Sequence, residues 1–390
     1  MGFFSNAVAV LLLYSSQCTA TIASDFVNIV WGTIDIPKLP NAISDHTCTT
    51  YEDKIYLIGG CDSDKIDGAC TSVSNSIVEF DTTTGFSTLL SFDSVSNPLK
   101  ARHRHAAVLV GSEIYLFGGR DVNDNIVTQI EKFNPSTMEF SEVGDWAEAT
   151  SDLAGFEYSG RVYLAGGYGT VPDDPESCED YCAHDEIWEF RTTLKQVNLA
   201  GRMEKKRADF AFQGPAEDGY YYAVGGYSHQ KCDPLSSVEQ FHPSGAESDY
   251  NPNDDNTVRS LTTKRGGAAA TVLNEKIHMI GGETKIQCEP ILLTDIEIYN
   301  TDEDQWVTFD GLPTIVSHSC AASYDNSVYI FGGQTALHDL SNTYPLVDTA
   351  YVYSEIIVET TEANASPGLQ GGLALTLFIN IAGFLLWAAF

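Results

Sequence analysis

Six times along the chain, a diglycine follows directly on four residues with the pattern of a buried strand. The quartets occupy 55–58, 114–117, 162–165, 221–224, 277–280 and 328–331, ahead of Gly59-Gly60, Gly118-Gly119, Gly166-Gly167, Gly225-Gly226, Gly281-Gly282 and Gly332-Gly333. Their first glycines are 59, 48, 59, 56 and 51 residues apart. A pattern recurring at that period marks one supersecondary unit copied along the chain, with neighbouring copies burying each other's apolar faces. An uninterrupted apolar quartet reads as a strand covered on both faces. Glycines belong after it because the chain turns where a Cβ would clash.

Each unit continues with a third strand ending in an aromatic residue, a turn, and a fourth strand carrying a second aromatic. The fifth unit shows this best, with Ile296-Glu297-Ile298-Tyr299, a turn over 300–304, and Trp306. The second uses Phe133 and Phe140 around Asn134-Pro135-Ser136, and looser matches end in Phe80, Phe190 and Phe241. Taken together, the chain resembles the kelch family over roughly 31–353. The resemblance implies an all-β fold, a six-bladed propeller. The sixth unit has a third strand at 350–353 but no fourth strand after it, whereas residues 31–37, from Trp31 to Pro37, resemble a kelch fourth strand. The N-terminal strand is therefore expected to complete the last blade, closing the ring and removing exposed edges.

In kelch propellers that bind peptides, the residues before each blade's first strand and after each diglycine line one face. Fourteen residues before the first glycines stand Asp45, Arg104, Asp152, Ala211, Gly267 and His318; Arg104-His105 matches the family pattern there. Arg207 and Arg265 come slightly earlier in blades four and five, near Asp209. Directly after the diglycines stand Cys61, Arg120, Tyr168, Tyr227, Glu283 and Gln334. The resemblance implies a ligand-binding ring of Asp45, Arg104, Arg120, Asp152, Tyr168, Arg207, Tyr227, Arg265, Glu283, His318 and Gln334. Its arginines would take carboxylates and its tyrosines would stack and hydrogen-bond. Long insertions at 61–75, 168–186, 227–237 and 334–348 fall on the same face, where recognition usually resides.

Both ends speak to location. Residues 1–23 read as a signal peptide, with an apolar core at 8–14 too short to span a bilayer. The propeller is expected over 24–358 and a linker over 359–372. The tail, 373–390, is apolar apart from Thr376 and Asn380 and carries no charge. Small residues Asn364, Ala365 and Ser366, a spacer and a terminal apolar tail form a glycosylphosphatidylinositol attachment pattern, with a retained membrane helix as the alternative. Asn364-Ala365-Ser366 is also a glycosylation sequon. The protein is thus expected at the cell surface, touching membrane only through this anchor.

Cys18 leaves with the leader, and the eight cysteines that remain imply pairing in an oxidising compartment. The blade map would join Cys61 with Cys70, Cys178 with Cys182, Cys232 with Cys288, and Cys48 with Cys320 across the ring seam. Sequence leaves that connectivity open. There are 54 acidic and 21 basic residues, a net charge of −33. Such acidity excludes nucleic acid as a partner and disfavours anionic lipid.

Three chemistries occur on kelch propellers that this chain resembles. A copper radical oxidase needs a Cys–Tyr cofactor and metal-binding histidines, yet each remaining cysteine has a pairing partner and the histidines lack ligand spacing. A sialic-acid mutarotase needs Arg and Glu facing the channel, and Arg207 with Glu283 are the candidates. An iron-dependent specifier protein would use carboxylates and histidine, such as Glu176, Asp180, His184 and Asp185. The acidic run 249–256 lacks the glycine and terminal glutamate of an EF-hand. The sequence therefore assigns no catalytic residue, metal or cofactor. It points to a binding protein for a protein, peptide or glycan, with a carbohydrate-modifying enzyme as the alternative.

Overall fold

The computed structural model describes residues 26–31, 36–92, 99–169, 182–228, 232, 234–243, 258–309, 311–336, 342–358, 377–381 and 384–388. The leader, the 359–372 linker with Asn364, Cys178, Glu176, Asp180 and the 249–256 run lie outside these.

Each apolar quartet forms the second strand of an antiparallel sheet, and its successive side chains serve two different interfaces. In blade one, Ile55 and Leu57 pack towards blade six, while Tyr56 and Ile58 pack towards blade two. Side chains alternate faces along a strand, so a strand buried on both sides must be apolar throughout. Six large apolar clusters result, one at each junction between adjacent blades. The core lies between blades, and no blade buries its faces alone.

The sheets follow one order. Blade one runs Thr47–Tyr51, Lys54–Ile58, Ile77–Asp81 and Ser87–Leu89; blade two runs Ala106–Val110, Glu113–Phe117, Gln129–Asn134 and Glu139–Asp145. Blade three comprises Ala154–Tyr158, Arg161–Ala165, Cys182–Arg191 and Gln196–Arg207, and blade five Ala269–Leu273, Lys276–Ile280, Ile296–Asn300 and Gln305–Phe309. Blade four has three described strands, Ala211–Gln213, Tyr221–Val224 and Val238–Phe241. Blade six is made of Cys320–Tyr324, Ser327–Phe331 and Ala350–Val358, with Phe26–Trp31 as its outermost strand.

The N-terminal strand does complete the last blade, but it lies earlier than expected, and Trp31 is its last residue rather than its first. The reason is visible just downstream. Leu39 and Ile43 are buried in the seam between blades six and one, with Ile36 against the same cluster. The Leu39 and Ile43 amides bond to the carbonyls of Asp348 and Val347. Pro37 has no N–H to give a ladder. Residues 36–43 thus wedge the seam instead of pairing as a strand.

Two compact units are present: Ile29–Glu355, the propeller, and a second unit joining Met1–Asn28 with Ile356–Phe390. The described part of the apolar tail is a hairpin, Leu377–Ile381 paired with Phe384–Ala388. Among the described residues no helix is long and apolar enough to cross a membrane.

Cys48 joins Cys320, pinning the innermost strands of blades one and six; Cys61 joins Cys70, and Cys232 joins Cys288. Their Cα separations of 5.7, 5.6 and 4.7 Å fall within the normal range. Cys182 is also disulfide-bonded.

The diglycines work as pairs, as Gly118-Gly119 shows. Gly118 has φ +64°, and a Cβ there would stand 2.2 Å from the Thr150 carbonyl oxygen of the next blade. Gly119 donates its N–H to that same oxygen at 3.0 Å. The first glycine lets the neighbouring blade approach, and the second bonds to it. Gly111 separates strain from clash, because it has φ +63° with open space around it. Gly111→Ala should cost about 1–2 kcal/mol, the left-handed penalty alone. Gly118→Ala should cost at least about 2 kcal/mol more, through displacement of the next blade. Denaturant melts of the two variants check this, and equal losses would remove the inter-blade contact from the explanation.

Candidate functional site

The residue that opens each blade takes a left-handed backbone: φ is 54° at Asp45, 56° at Arg104, 57° at Asp152, 55° at Asp209, 58° at Gly267 and 53° at His318. Each donates its N–H to the carbonyl of its counterpart in the preceding blade. The bonds run Arg104 to Asp45 (2.9 Å), Asp152 to Arg104 (2.8 Å), Asp209 to Asp152 (2.9 Å), Gly267 to Asp209 (3.1 Å), His318 to Gly267 (2.8 Å) and Asp45 to His318 (2.9 Å). The chain of bonds closes on itself around the axis. Non-glycine residues rarely adopt this backbone, though Asp and His do so more readily than most.

Five of the six ring members are those the fourteen-residue count identifies. Ala211 is not the sixth. It lies in the first strand of blade four and packs towards blade five, and Asp209 holds the ring position. The hairpin between the first two strands of blade four, 214–220, is longer than its equivalents, so a fixed count lands too far along.

A second tier lies alongside. Cys61, Arg120, Tyr168, Tyr227, Glu283 and Gln334 each bridge the residue just before a ring member: Ser44, His103, Ser151, Ala208, Gly266 and Ser317. All six second-tier residues are buried. The structure therefore brings Asp45, Arg104, Asp152 and His318 together in one tier, and Arg120, Tyr168, Tyr227, Glu283 and Gln334 in the next.

Arg207 and Arg265 do not join them. Both are wholly buried, Arg207 at the end of the last strand of blade three and braced against blade four, Arg265 ahead of the first strand of blade five. Arg207 donates to the Gly225 carbonyl at 2.9 Å and to Glu239 at 2.6 Å; Arg265 donates to the Gly281 carbonyl at 3.0 Å and to Glu297 at 2.5 Å. Arg102, which the sequence reading passed over, does the same with the Gly118 carbonyl and Glu131. These three arginines cross-brace the blades: each is buried and spends its guanidinium on a glycine carbonyl and a third-strand glutamate instead of facing the channel. The recurrence of Arg two residues before the ring and Glu in the third strand was a signal available in the sequence.

The remaining arginines are also engaged. Arg104 lies between two ring aspartates, with Nε 3.0 Å from Asp45 Oδ1 and Nη1 3.2 Å from Asp152 Oδ1. Arg120 donates to Ser151 Oγ at 2.7 Å and to Asp124 at 2.8 Å. A ring of free arginines awaiting an anion is thus replaced by paired charge. Tyr227 donates its hydroxyl to Glu283 at 2.8 Å, and Lys285 lies 3.6 Å from the same carboxylate. With Glu283 held there and Arg207 held by Glu239, the two do not form an acid–base pair. On the blade-three insertion, His184 is 3.0 Å from Glu186, and Asp185 is bound by Arg202. Two groups, His46 with Cys48 and Cys320, and His103 with Cys61 and Cys70, have metal-ligand proximity. In both, the sulfurs are joined as disulfides.

Beneath the ring lies a cavity of about 160 Å³ with Asp45, Arg104, Asp152, Asp209 and His318 in its wall. It shares His46, Leu153, Phe210, Ala268 and Ser319 with a second space of about 180 Å³, lined by the small residues of the innermost strands. Burial would raise the Asp45 carboxyl, but Lys65 and Arg104 outweigh it and hold the group well below the usual carboxylate range. Burial pulls His46 and His103 down to about 4, and Arg104 adds to the effect at His103.

Residues 45–282 match the KLHDC2/KLHL20/DRC7 Kelch-repeats domain. The chain belongs to that Kelch-repeat family. It is 23% identical over 352 residues to Kelch-like protein terF of Aspergillus terreus, covering 84% of this chain and 70% of that protein. It is 22% identical over 244 residues to Kelch-like protein 23 of Mus musculus, covering 62% of this chain but 40% of that protein. The solved structure of YjhT superposes with a TM-score of 0.63 at 16% identity, covering 84% of this chain and 98% of the other. That likeness shows the shared six-bladed fold.

Burial depresses His105 as well, and the depressed histidines give the domain a pH dependence with a defined sign. His46 and His103 are neutral when folded down to about pH 4, whereas unfolded histidine takes up a proton near 6.5. Between those values the unfolded chain binds more protons, so stability falls as pH falls. At pH 5 each contributes a loss of about 2 kcal/mol. Denaturant melts at pH 7 and pH 5 should show the drop, and His103→Gln should flatten the slope. A pH-independent melt across this window would contradict the assignment.

Proposed function

We propose that this member of the Kelch-repeat family is an interaction module displayed at the outer cell surface, and that it grips a protein partner with its loop face. One observation carries the reading: apolar residues stand exposed on loops that are already cross-linked. Ile286 is 61% exposed and Ile291 is 44% exposed, on the two strands of the hairpin Glu283–Ile286 with Glu289–Leu292. Cys288 at the tip of that hairpin is tied to Cys232 of the blade-four loop. Ile66 is 49% exposed on a strand that pairs across the seam with Thr343–Tyr344, inside the loop closed by Cys61 and Cys70. Loops fixed before binding lose little entropy on docking, and apolar side chains held out by such loops suit a protein interface. The net charge of −33 favours a partner with basic patches, by steering the encounter.

The surface location rests on the leader, the charge-free tail and the disulfides, which belong to an oxidising compartment. Phosphatidylinositol-specific phospholipase C should release the protein from expressing cells without its tail. The released protein should then bind a member of an extracellular protein array, and the double variant Ile286→Glu/Ile291→Glu should bind it at least about 30-fold more weakly. Retention on the cell with the tail peptide intact would indicate a membrane-spanning tail. Unchanged binding by the variant would place recognition elsewhere, and binding to glycans alone would favour the carbohydrate reading.

A further inference from the structure

The short strand Lys65–Ile66 faces the opposite way from what its residues would choose. Its isoleucine is turned out to solvent, while the lysine side chain is only 2% exposed. Side chains on successive strand residues point to opposite faces, so this register selects the lysine for burial. Burying an ammonium is costly unless charge awaits it. Here charge does await it. Lys65 Nζ lies 2.5 Å from Asp45 Oδ2, at the centre of the ring that also carries Asp152 and Asp209.

The surroundings resemble a receptor more than a finished ion pair. Lys65 Nζ meets Asp45, and the buried Asp152 Oδ1 meets Arg104 at 3.2 Å, but neither contact has good hydrogen-bond geometry. Asp209 faces His318 at 3.5 Å. With Lys65 withdrawn, three ring carboxylates would face Arg104, with Arg120 reaching Asp152 only at 4.0 Å. The residue that fills this place belongs to no blade. Lys65 rides on the blade-one loop, which is held by the Cys61–Cys70 bridge and a few contacts to the blade-six loop, such as the Leu346 amide to Asp64 at 2.9 Å. Lys65 is not among the residues that wall the cavity below the carboxylates; its methylene stem reaches Asp45 from the loop side, the route an external stem would take.

We propose that the axial pocket is a binding site for a primary ammonium group on an aliphatic stem, and that Lys65 occupies it in cis as a removable plug. The ligand class is an alkylamine or the lysine side chain of a peptide, its head against Asp45 and its neighbours on the ring. The plug shares its strand with Ile66 of the loop face, but the ammonium site is formed by the ring carboxylates and its test needs no protein partner.

The experiment replaces the plug and supplies its chemistry from outside. Lys65→Ala should melt below wild type, and n-butylammonium chloride at millimolar concentration should raise its melting temperature saturably, by several degrees. Tetramethylammonium chloride, which cannot donate a hydrogen bond, should not. Calorimetric titration should show n-butylammonium binding Lys65→Ala at least ten-fold more tightly than wild type, where Lys65 competes, and adding Asp45→Asn should abolish the difference. If Lys65→Ala does not fold unaided, its refolding yield with each of the two salts reads the same property. Equal effects of the two ammonium ions, or equal binding by wild type and variant, would overturn the proposal.

Discussion

Six backbone hydrogen bonds around the axis, each from the opening residue of one blade to its counterpart before it, hold the blades in register. Much else follows from that closed chain. Its members must adopt a left-handed backbone, which is unusual for Asp and His and more so for Arg. Strain of that kind persists only where the surroundings over-determine it. Here they do so twice: the diglycine of each blade bonds to the next, and apolar clusters fill every gap between quartets. The ring also fixes where charge can go. Five side chains from six blades converge at one level, Gly267 contributing none, and in this chain three of them are aspartates.

Convergent acid requires convergent base, and the molecule meets that need in two ways. Arg104 is part of the ring and spans two of its aspartates. Lys65 comes from outside the repeat, on a loop that crosses the seam to pair with blade six. The outward side of the same loops differs, because there the isoleucines stand exposed on cross-linked hairpins. Fold does not dictate function, and the proposed interface rests on these exposed loop residues rather than on the ring.

How much of this was legible in the sequence depends on whether the information lies in spacing or in direction. Six quartets with six diglycines specify the blades, and a fixed count back from them reaches Asp45, Arg104, Asp152, Gly267 and His318. The count fails at Ala211 because one hairpin is longer, a local length change that periodicity does not carry. Which way a side chain points is harder still. Arg207 and Arg265 stand two residues from the ring, yet they turn inward to glycine carbonyls and to Glu239 and Glu297. The closing strand was foreseen, but it lies ahead of the Trp31–Pro37 segment because Leu39 and Ile43 are more useful as a wedge in the seam. The burial of Lys65 had no sequence signal, since a lysine in a polar loop normally stays in water.

The account holds that the propeller is one cooperative ring with no weak blade, sealed at the junction where N-terminal and C-terminal strands meet. Native-state hydrogen exchange tests this directly at the six ring amides, those of Asp45, Arg104, Asp152, Asp209, Gly267 and His318. A sealed ring requires all six to exchange only through global unfolding, with a single opening free energy and a shared dependence on denaturant. Faster exchange at Asp45 and His318 than at the other four, through opening of the seam alone, would contradict it.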